Sequence, residues 1–245
     1  MTKTRYLRPS MDNSGHLDSI AMTYSEDIGF ESTLMEYKIN EVRKFIQGKT
    51  MLDIGCGVGT LTRALAGDFE QVVGIDGSVV KIQKAEEKNN SKNIEYKQYL
   101  IENFIPSTQF DFIVSTNVLE HVVDTAIFLA QVKQMLAGDG KVVMTVPNAL
   151  GLHKRIGKHM GVIDDFYRLT PADLEKGHKR VYDMEILENE FRKAGFNPVH
   201  IGGILLKPLS HRQMETWDRK IVDALYEVGK ELPGYCSSLL IAATH

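Results

Sequence analysis

The residues best suited to chemistry in this chain fall in short, separated stretches: Asp53-Ile54-Gly55-Cys56-Gly57-Val58-Gly59, then Asp76-Gly77, then Glu120-His121, and later His178 with Arg180 and Tyr182. In the first, glycines at alternate positions follow the apolar run Met51, Leu52, Ile54 and precede a helical pattern from Leu61 to Leu65. A strand, a glycine turn and a helix start make a cradle that a ligand can approach closely, because glycine has no Cβ and tolerates positive φ. The free N–H groups of the helix start suit an anionic part of that ligand. Asp53, inside the strand, suits a cationic amine, and Cys56 reads as a small buried thiol. Asp76 closes a second apolar run 17 residues after Gly59. An acid there can accept hydrogen bonds from both hydroxyls of a ribose; its competing use is to cap the next helix, which Ser78 would serve equally well.

The glycines do not follow the dinucleotide pattern G-x-G-x-x-G, since Thr60 holds its third place. The order Asp53-Ile-Gly-Cys-Gly-Val-Gly59 resembles instead the first motif of class I S-adenosylmethionine-dependent methyltransferases. Val118-Leu119-Glu120-His121-Val122 resembles the corresponding segment of small-molecule O- and N-methyltransferases related to ubiquinone-biosynthesis enzymes. Gly177-His178-Lys179-Arg180-Val181-Tyr182, followed by Ala194-Gly195-Phe196, is similar to a segment of bacterial methyltransferases acting on sugars and related metabolites. The resemblance covers about residues 33–245 and is most specific from 50 to 147.

It implies a cofactor, S-adenosylmethionine, leaving as S-adenosylhomocysteine, held by Asp53, Gly55, Cys56, Gly57, Gly59, Asp76, Gly77, Leu100, Ile101 and Asn117. It also implies that His121 faces the acceptor, with His121 or His178 as the general base and Tyr24, Glu120, Arg180 and Tyr182 lining the acceptor pocket. As plain structure, Glu120 would be a surface carboxylate, His121 a first-turn helix residue and Arg180 a surface cation. The chain departs from the family where an acid usually meets the adenine amine: Tyr99 and Leu100 stand there, which leaves adenine to the Ile101 backbone and apolar packing.

These groups need a scaffold that brings them to one edge. Strands are expected at Met51–Ile54, Gln71–Ile75, Ile94–Gln98, Phe110–Ser115, Lys141–Val146, Asn197–Leu206 and Cys236–Thr244. Between them, helical patterns are expected near Thr33–Gln47, Leu61–Ala66, Lys81–Lys88, Val122–Leu136, Asp183–Ala194 and Gln213–Lys230, the first burying Leu34, Ile39, Val42, Phe45 and Ile46. The alternation implies an α/β fold, a doubly wound, seven-stranded, mostly parallel sheet with an antiparallel last strand. Ligands of such sheets bind at the carboxyl ends of the strands, where each motif falls. The expected organisation is one domain: N-terminal lid helices over 1–48, a cofactor core over 49–148, an irregular acceptor-site insertion over 149–182, and the rest of the sheet over 183–245.

Composition narrows the partners. A net charge of −3 gives no support for a nucleic-acid surface, and no apolar run reaches the length of a membrane span. Met1 to Ser10 carry no apolar secretory core, so the expected location is the cytoplasm. Two cysteines form no metal pattern, and Ser115-Thr116-Asn117 stands where metal-dependent relatives place an Asp ligand, so no metal is expected. The expected partner is a small polar acceptor, more readily a hydroxyl than an amine, of a monomer or homodimer. Lys154, Arg155, Lys158 and His159 are explained either by an anionic acceptor or by ordinary solvation. A nicotinamide oxidoreductase and a catalytically silent cofactor-binding protein are the rival readings.

Overall fold

The computed structural model describes residues 29–245; the expected lid over the first 28 residues, Tyr24 included, lies outside the described residues. Seven strands, β1 (Thr50–Ile54), β2 (Gln71–Asp76), β3 (Ile94–Gln98), β4 (Phe110–Thr116), β5 (Leu136–Pro147), β6 (Asn197–Ile204) and β7 (Ser238–Thr244), form one sheet in the order β3-β2-β1-β4-β5-β7-β6. β1 to β5 pair in parallel, and β7 runs antiparallel to both β5 and β6. β6 therefore points the same way as β1 to β5, and the carboxyl ends of six strands share one edge. Strand order reverses at β1 and β4, which makes the crevice between them the switch point where a doubly wound sheet binds its ligand.

The apolar alternation of the strands explains the two layers of helix. Met51, Val72, Phe112, Val114 and Val143 face one side, under α1 (Phe30–Arg43), α2 (Thr60–Leu65), α3 (Val79–Glu87), α8 (His211–Met214) and α9 (Arg219–Glu231). Leu52, Ile54, Val73, Ile113 and Val142 face the other, under α4 (Thr125–Met135) and α7 (Met184–Lys193). A one-residue slip of any strand would exchange these sets, so both cores fix the register.

Three expectations are corrected. The α1 helix buries Phe30, Leu34, Tyr37, Lys38, Glu41 and Val42, while Ile39, Phe45 and Ile46 are only partly buried. Two of its polar residues have partners on α9: the Tyr37 hydroxyl donates to Asp223 Oδ1 at 2.6 Å and the Tyr226 hydroxyl donates to Glu41. The stretch from Gln213 to Lys230 is two helices, because Asp218 accepts from Lys220 N and starts α9 afresh after Trp217. The insertion over 149–182 is not irregular throughout; it holds α5 (Leu152–His159) and the short α6 (Pro171–Glu175). Among the described residues no helix is long and apolar enough to cross a membrane.

Candidate active site

The turn after β1 takes the left-handed conformation at Gly55, Gly57 and Gly59, with φ of 73°, 57° and 76°. Two of these glycines are also demanded by packing. A Cβ on Gly55 would lie 2.3 Å from Val118 Cγ2, and one on Gly59 2.3 Å from the Tyr96 hydroxyl. The glycines thus let the turn fold against the neighbouring strand ends as well as admit a ligand. Gly55 and Cys56 both donate to the Ile75 carbonyl, which ties the turn to the end of β2.

The capping role that the sequence offered to either Asp76 or Ser78 falls to Ser78, which caps α3 with its hydroxyl accepting from Lys81 N at 3.2 Å. The Asp76 carboxylate instead accepts from Gly57 N at 3.0 Å and Ser78 N at 2.8 Å, one bond to each oxygen. Each oxygen keeps a lone pair, so the group is oriented and still able to take two hydroxyl donors, as the ribose of the cofactor requires. Asp53 is 1% exposed, and its Oδ2 accepts from the Thr62 hydroxyl of α2 at 2.6 Å. Beyond β3, Ile101 is buried and Tyr99 exposed, its ring tilted against Phe104 with centroids 5.5 Å apart. That pair gives the strand end an aromatic and aliphatic surface rather than the acid usual in the resembled family. The residues present therefore fit an adenosine with a charged amino-acid tail.

At the end of β4 the backbone of Asn117 turns left-handed, with φ of 55°, and Asn117 N donates to the Thr145 carbonyl. Asparagine tolerates that conformation better than other side chains. Its Oδ1 accepts from Lys38 Nζ at 2.7 Å, a lysine on the buried stripe of α1. The next residues carry the titratable groups. Glu120 is 1% exposed, and among the described residues neither carboxylate oxygen has a hydrogen-bond partner. Burial pushes its carboxyl up to about 7, only partly opposed by His178 and Lys38. A surface carboxylate is thus excluded.

His178 reaches this place through the local design of α6. Thr170 and Asp173 form a capping box, and Gly177, with φ of 79°, ends the helix so that His178 N returns to the Asp173 carbonyl. Asp173 gives Oδ2 to Thr170 and Oδ1 to His178 Nδ1 at 3.2 Å. Burial alone would raise the Asp173 carboxyl; bonds from His178 and Thr170 overcome that and hold it well below the usual carboxylate range. His178 then meets His121 edge-on, with centroids 4.8 Å apart and planes at 81°. His121 Nε2 lies 4.0 Å from Glu120 Oε1. Burial, then the neighbouring His178, pushes His121 down to about 4, so it is neutral at physiological pH. Glu120, His121 and His178 offer donor atoms all within 4.8 Å of one another, a set that could also hold a metal ion.

Two residues assigned to the acceptor pocket serve the scaffold. The Arg180 guanidinium donates to the Leu119 and Val123 carbonyls, and Lys179 N donates to the Glu120 carbonyl at 2.8 Å. These bonds clamp the 178–182 segment onto the loop after β4 and so bring His178 to His121. Tyr182 is 1% exposed and packs in the core with Leu187 and Phe191. Lys38, Asp173 and Lys207 escaped the sequence reading. A lysine at the i+4 place between Leu34 and Val42 was the one available signal for Lys38, since such a position is otherwise apolar.

Comparison with known proteins agrees with this geometry. A family model described as a methyltransferase domain matches residues 30–201. The mitochondrial ubiquinone biosynthesis O-methyltransferase of Bos taurus is 29% identical over 174 residues, covering 68% of this chain and 46% of that protein. The enzyme of the same name from Rhodopseudomonas palustris (strain TIE-1) is 32% identical over 168 residues, covering 63% of this chain and 64% of that one. The chain thus spans about half to two thirds of the length of these curated relatives. In fold it is similar to the crystal structure of an S-adenosylmethionine-dependent methyltransferase from Mesorhizobium loti, with a TM-score of 0.64 at 20% identity over 89% of this chain and all of the other. A family model matching well over half the chain, on a sheet of this order with its glycine turn at the switch point, settles the assignment: the chain belongs to the methyltransferase domain family, with the fold of class I S-adenosylmethionine-dependent methyltransferases.

Proposed function

We propose that this chain transfers a methyl group from S-adenosylmethionine to a hydroxyl of a small polar acceptor, a sugar, nucleotide-linked or similar metabolite. When bound, the cofactor supplies a methyl carbon already activated by its sulfonium. The protein's task is then to hold the acceptor oxygen in line, exclude water and take the hydroxyl proton. The carrying observation is the His178–Asp173 pair set against His121 and the Glu120 carboxylate, at the strand end beside the glycine turn.

The roles divide by environment. His178 is the general base: its Nδ1 faces the Asp173 carboxylate, which orients the ring and stabilises the imidazolium formed when the other nitrogen takes the proton. His121, pushed down to about 4, is a weaker proton acceptor and serves as a wall of the pocket. The relatives named above are O-methyltransferases by name, which favours oxygen over nitrogen as the acceptor atom. Their name also puts a ubiquinone precursor among the acceptors to try.

Formation of S-adenosylhomocysteine over a panel of sugar, nucleotide and ubiquinone-precursor hydroxyls tests the reading. With the acceptor found, His178→Ala should slow turnover by ~10²–10⁴-fold while leaving S-adenosylhomocysteine affinity within about twofold. Full turnover in a folded His178→Ala protein would remove the base. Stabilisation by NADH and none by S-adenosylhomocysteine would remove the cofactor. A second reading has Glu120, His121 and His178 hold a divalent ion that binds the acceptor oxygen and eases its ionisation. Turnover abolished by a chelator and restored by the ion would favour it over the metal-free expectation.

A further inference from the structure

Two lysines on this side of the site have ammoniums that make no hydrogen bond or ion pair among the described residues. Lys207 lies three residues beyond β6, at the edge where the carboxyl ends of β1 to β5 also lie. It is 7% exposed, and among the described residues its ammonium has no hydrogen-bond or ion-pair partner. The Lys207 carbonyl accepts from His153 N at 3.0 Å, which fixes the first turn of α5 against it and places Lys154 beside it. Lys154 is half-buried and equally unpartnered among the described residues.

The acids within reach are already engaged. Glu31 faces His211 Nδ1 at 2.6 Å, and Asp173 is divided between Thr170 and His178. His153 adds an unpartnered buried Nδ1 to the same place. The other basic residues of this stretch are spent elsewhere: Arg155 donates to the Leu150 carbonyl and stacks over Tyr235 at 4.4 Å, and Lys158 donates to the Asp164 carbonyl.

Holding these ammoniums away from water, with Glu31 and Asp173 acting on them only without direct contact, opposes folding. Burial, with Lys176 and Lys154 nearby and only Glu31 opposing, pushes Lys207 down to about 8; burial also lowers Lys154. The backbone adds a second cost: Leu205, two residues before Lys207, is left-handed with φ of 62°. Only Asn117 and Leu205 among the described non-glycine residues do this, and both follow strands at the ligand edge. Leu205 itself is packed in the core and its carbonyl accepts from Ser237 N, so this turn carries the chain from the packed layer to Lys207 at the edge.

We propose that Lys154 and Lys207 form a subsite for a phosphate monoester carried by the acceptor, whose hydroxyl then lies toward His178. A phosphate monoester carries a charge of roughly −1.5 to −2 at neutral pH, which matches two ammoniums better than a carboxylate does. Lys154 and Asp173 feel one another, and Asp173 holds His178, so the subsite adjoins the base. The inference rests on the methyl-transfer reading for the orientation of the acceptor, but not for the binding of phosphate itself.

Calorimetric titration with inorganic phosphate, in the presence of S-adenosylhomocysteine and at constant ionic strength, tests it. The wild-type chain should bind phosphate, and Lys154→Met and Lys207→Met should each weaken that binding at least tenfold with cofactor-product affinity unchanged. Lys207→Met should also melt higher than wild type in phosphate-free buffer, since it removes an uncompensated buried charge; a merely structural lysine would lower the melting temperature. If that variant fails to fold, the lysine is structural and the proposal falls. Absence of phosphate binding, or binding unchanged in Lys154→Met, would also overturn the subsite while leaving the methyl-transfer reading intact. Failure of S-adenosylhomocysteine to bind while phosphate binds would do the reverse. A titration with glycerol 3-phosphate then separates an acceptor's phosphate from free phosphate. Tighter binding than inorganic phosphate, with the gain lost in His178→Ala, supports the proposal; equal binding overturns its acceptor half.

Discussion

Glu120→Gln should make the protein more stable, and increasingly so as pH rises. The carboxyl is 1% exposed, its two oxygens accept no hydrogen bond among the described residues, and burial pushes it up to about 7 against 4.5 for an unperturbed glutamate. Below pH 4.5 the group is neutral in both folded and unfolded chains. Between 4.5 and 7 the unfolded chain loses its proton while the folded one keeps it, so the unfolded state gains and native stability falls. Above 7 both are ionised and the penalty is constant. A difference of about 2.5 pH units corresponds to about 3 kcal/mol, as an order of magnitude. Glutamine has nearly the same shape and never ionises, so the variant escapes this loss.

For a chain of 245 residues, 1 kcal/mol moves the melting temperature by roughly 2–4 °C, so the variant should gain roughly 6–12 °C over wild type between pH 4.5 and 8. Circular-dichroism melts of both proteins across that range, with chelator present to keep metal off the Glu120, His121 and His178 trio, measure it directly. A difference in melting temperature that does not change with pH, or a variant less stable than wild type at pH 8, would refute the reasoning. Either result would mean that the carboxylate is ionised and solvated in the native protein.

Two further outcomes follow from the cofactor cradle. Asp76→Ala should weaken S-adenosylhomocysteine binding at least tenfold by calorimetry, since hydrogen bonds to a charged group are worth ~1.5–3 kcal/mol each and two are lost. Gly55→Ala should destabilise the fold by roughly 2–4 kcal/mol in urea, because a left-handed φ and a 2.3 Å approach to Val118 Cγ2 both oppose a Cβ. Adding Val118→Ala should recover the steric part and leave the conformational part.

The central sheet was legible because β1, β2, β4 and the end of β5 are apolar runs punctuated by glycine, aspartate and proline, as parallel strands buried on both faces require, whereas β3 and β6 are more polar and exposed. The glycine turn and the Glu120-His121 pair were legible for a related reason: they follow strands, so locating the strand locates the residue. The acceptor side was less legible because its groups are placed by side-chain bonds that no periodicity encodes. Asp173 works because a capping box turns one of its oxygens away and leaves the other for His178. Arg180, read as a ligand for the acceptor, spends its donors on the Leu119 and Val123 carbonyls, and in doing so sets the distance between two histidines 57 residues apart in sequence. Lys38 and Lys207 sit among apolar neighbours where a pattern reading expects leucine or valine, and a lysine in such a place costs stability. That cost is the common physical signature of these residues: Glu120 without a hydrogen bond among the described residues, a neutral His121 and a depressed Lys207 are each held away from water against their charged forms. The turn after β1 differs, because its polar groups are backbone groups and two aspartates, Asp53 and Asp76, that already accept hydrogen bonds. A site built this way can keep its cofactor cradle while its acceptor is changed by a few buried charges.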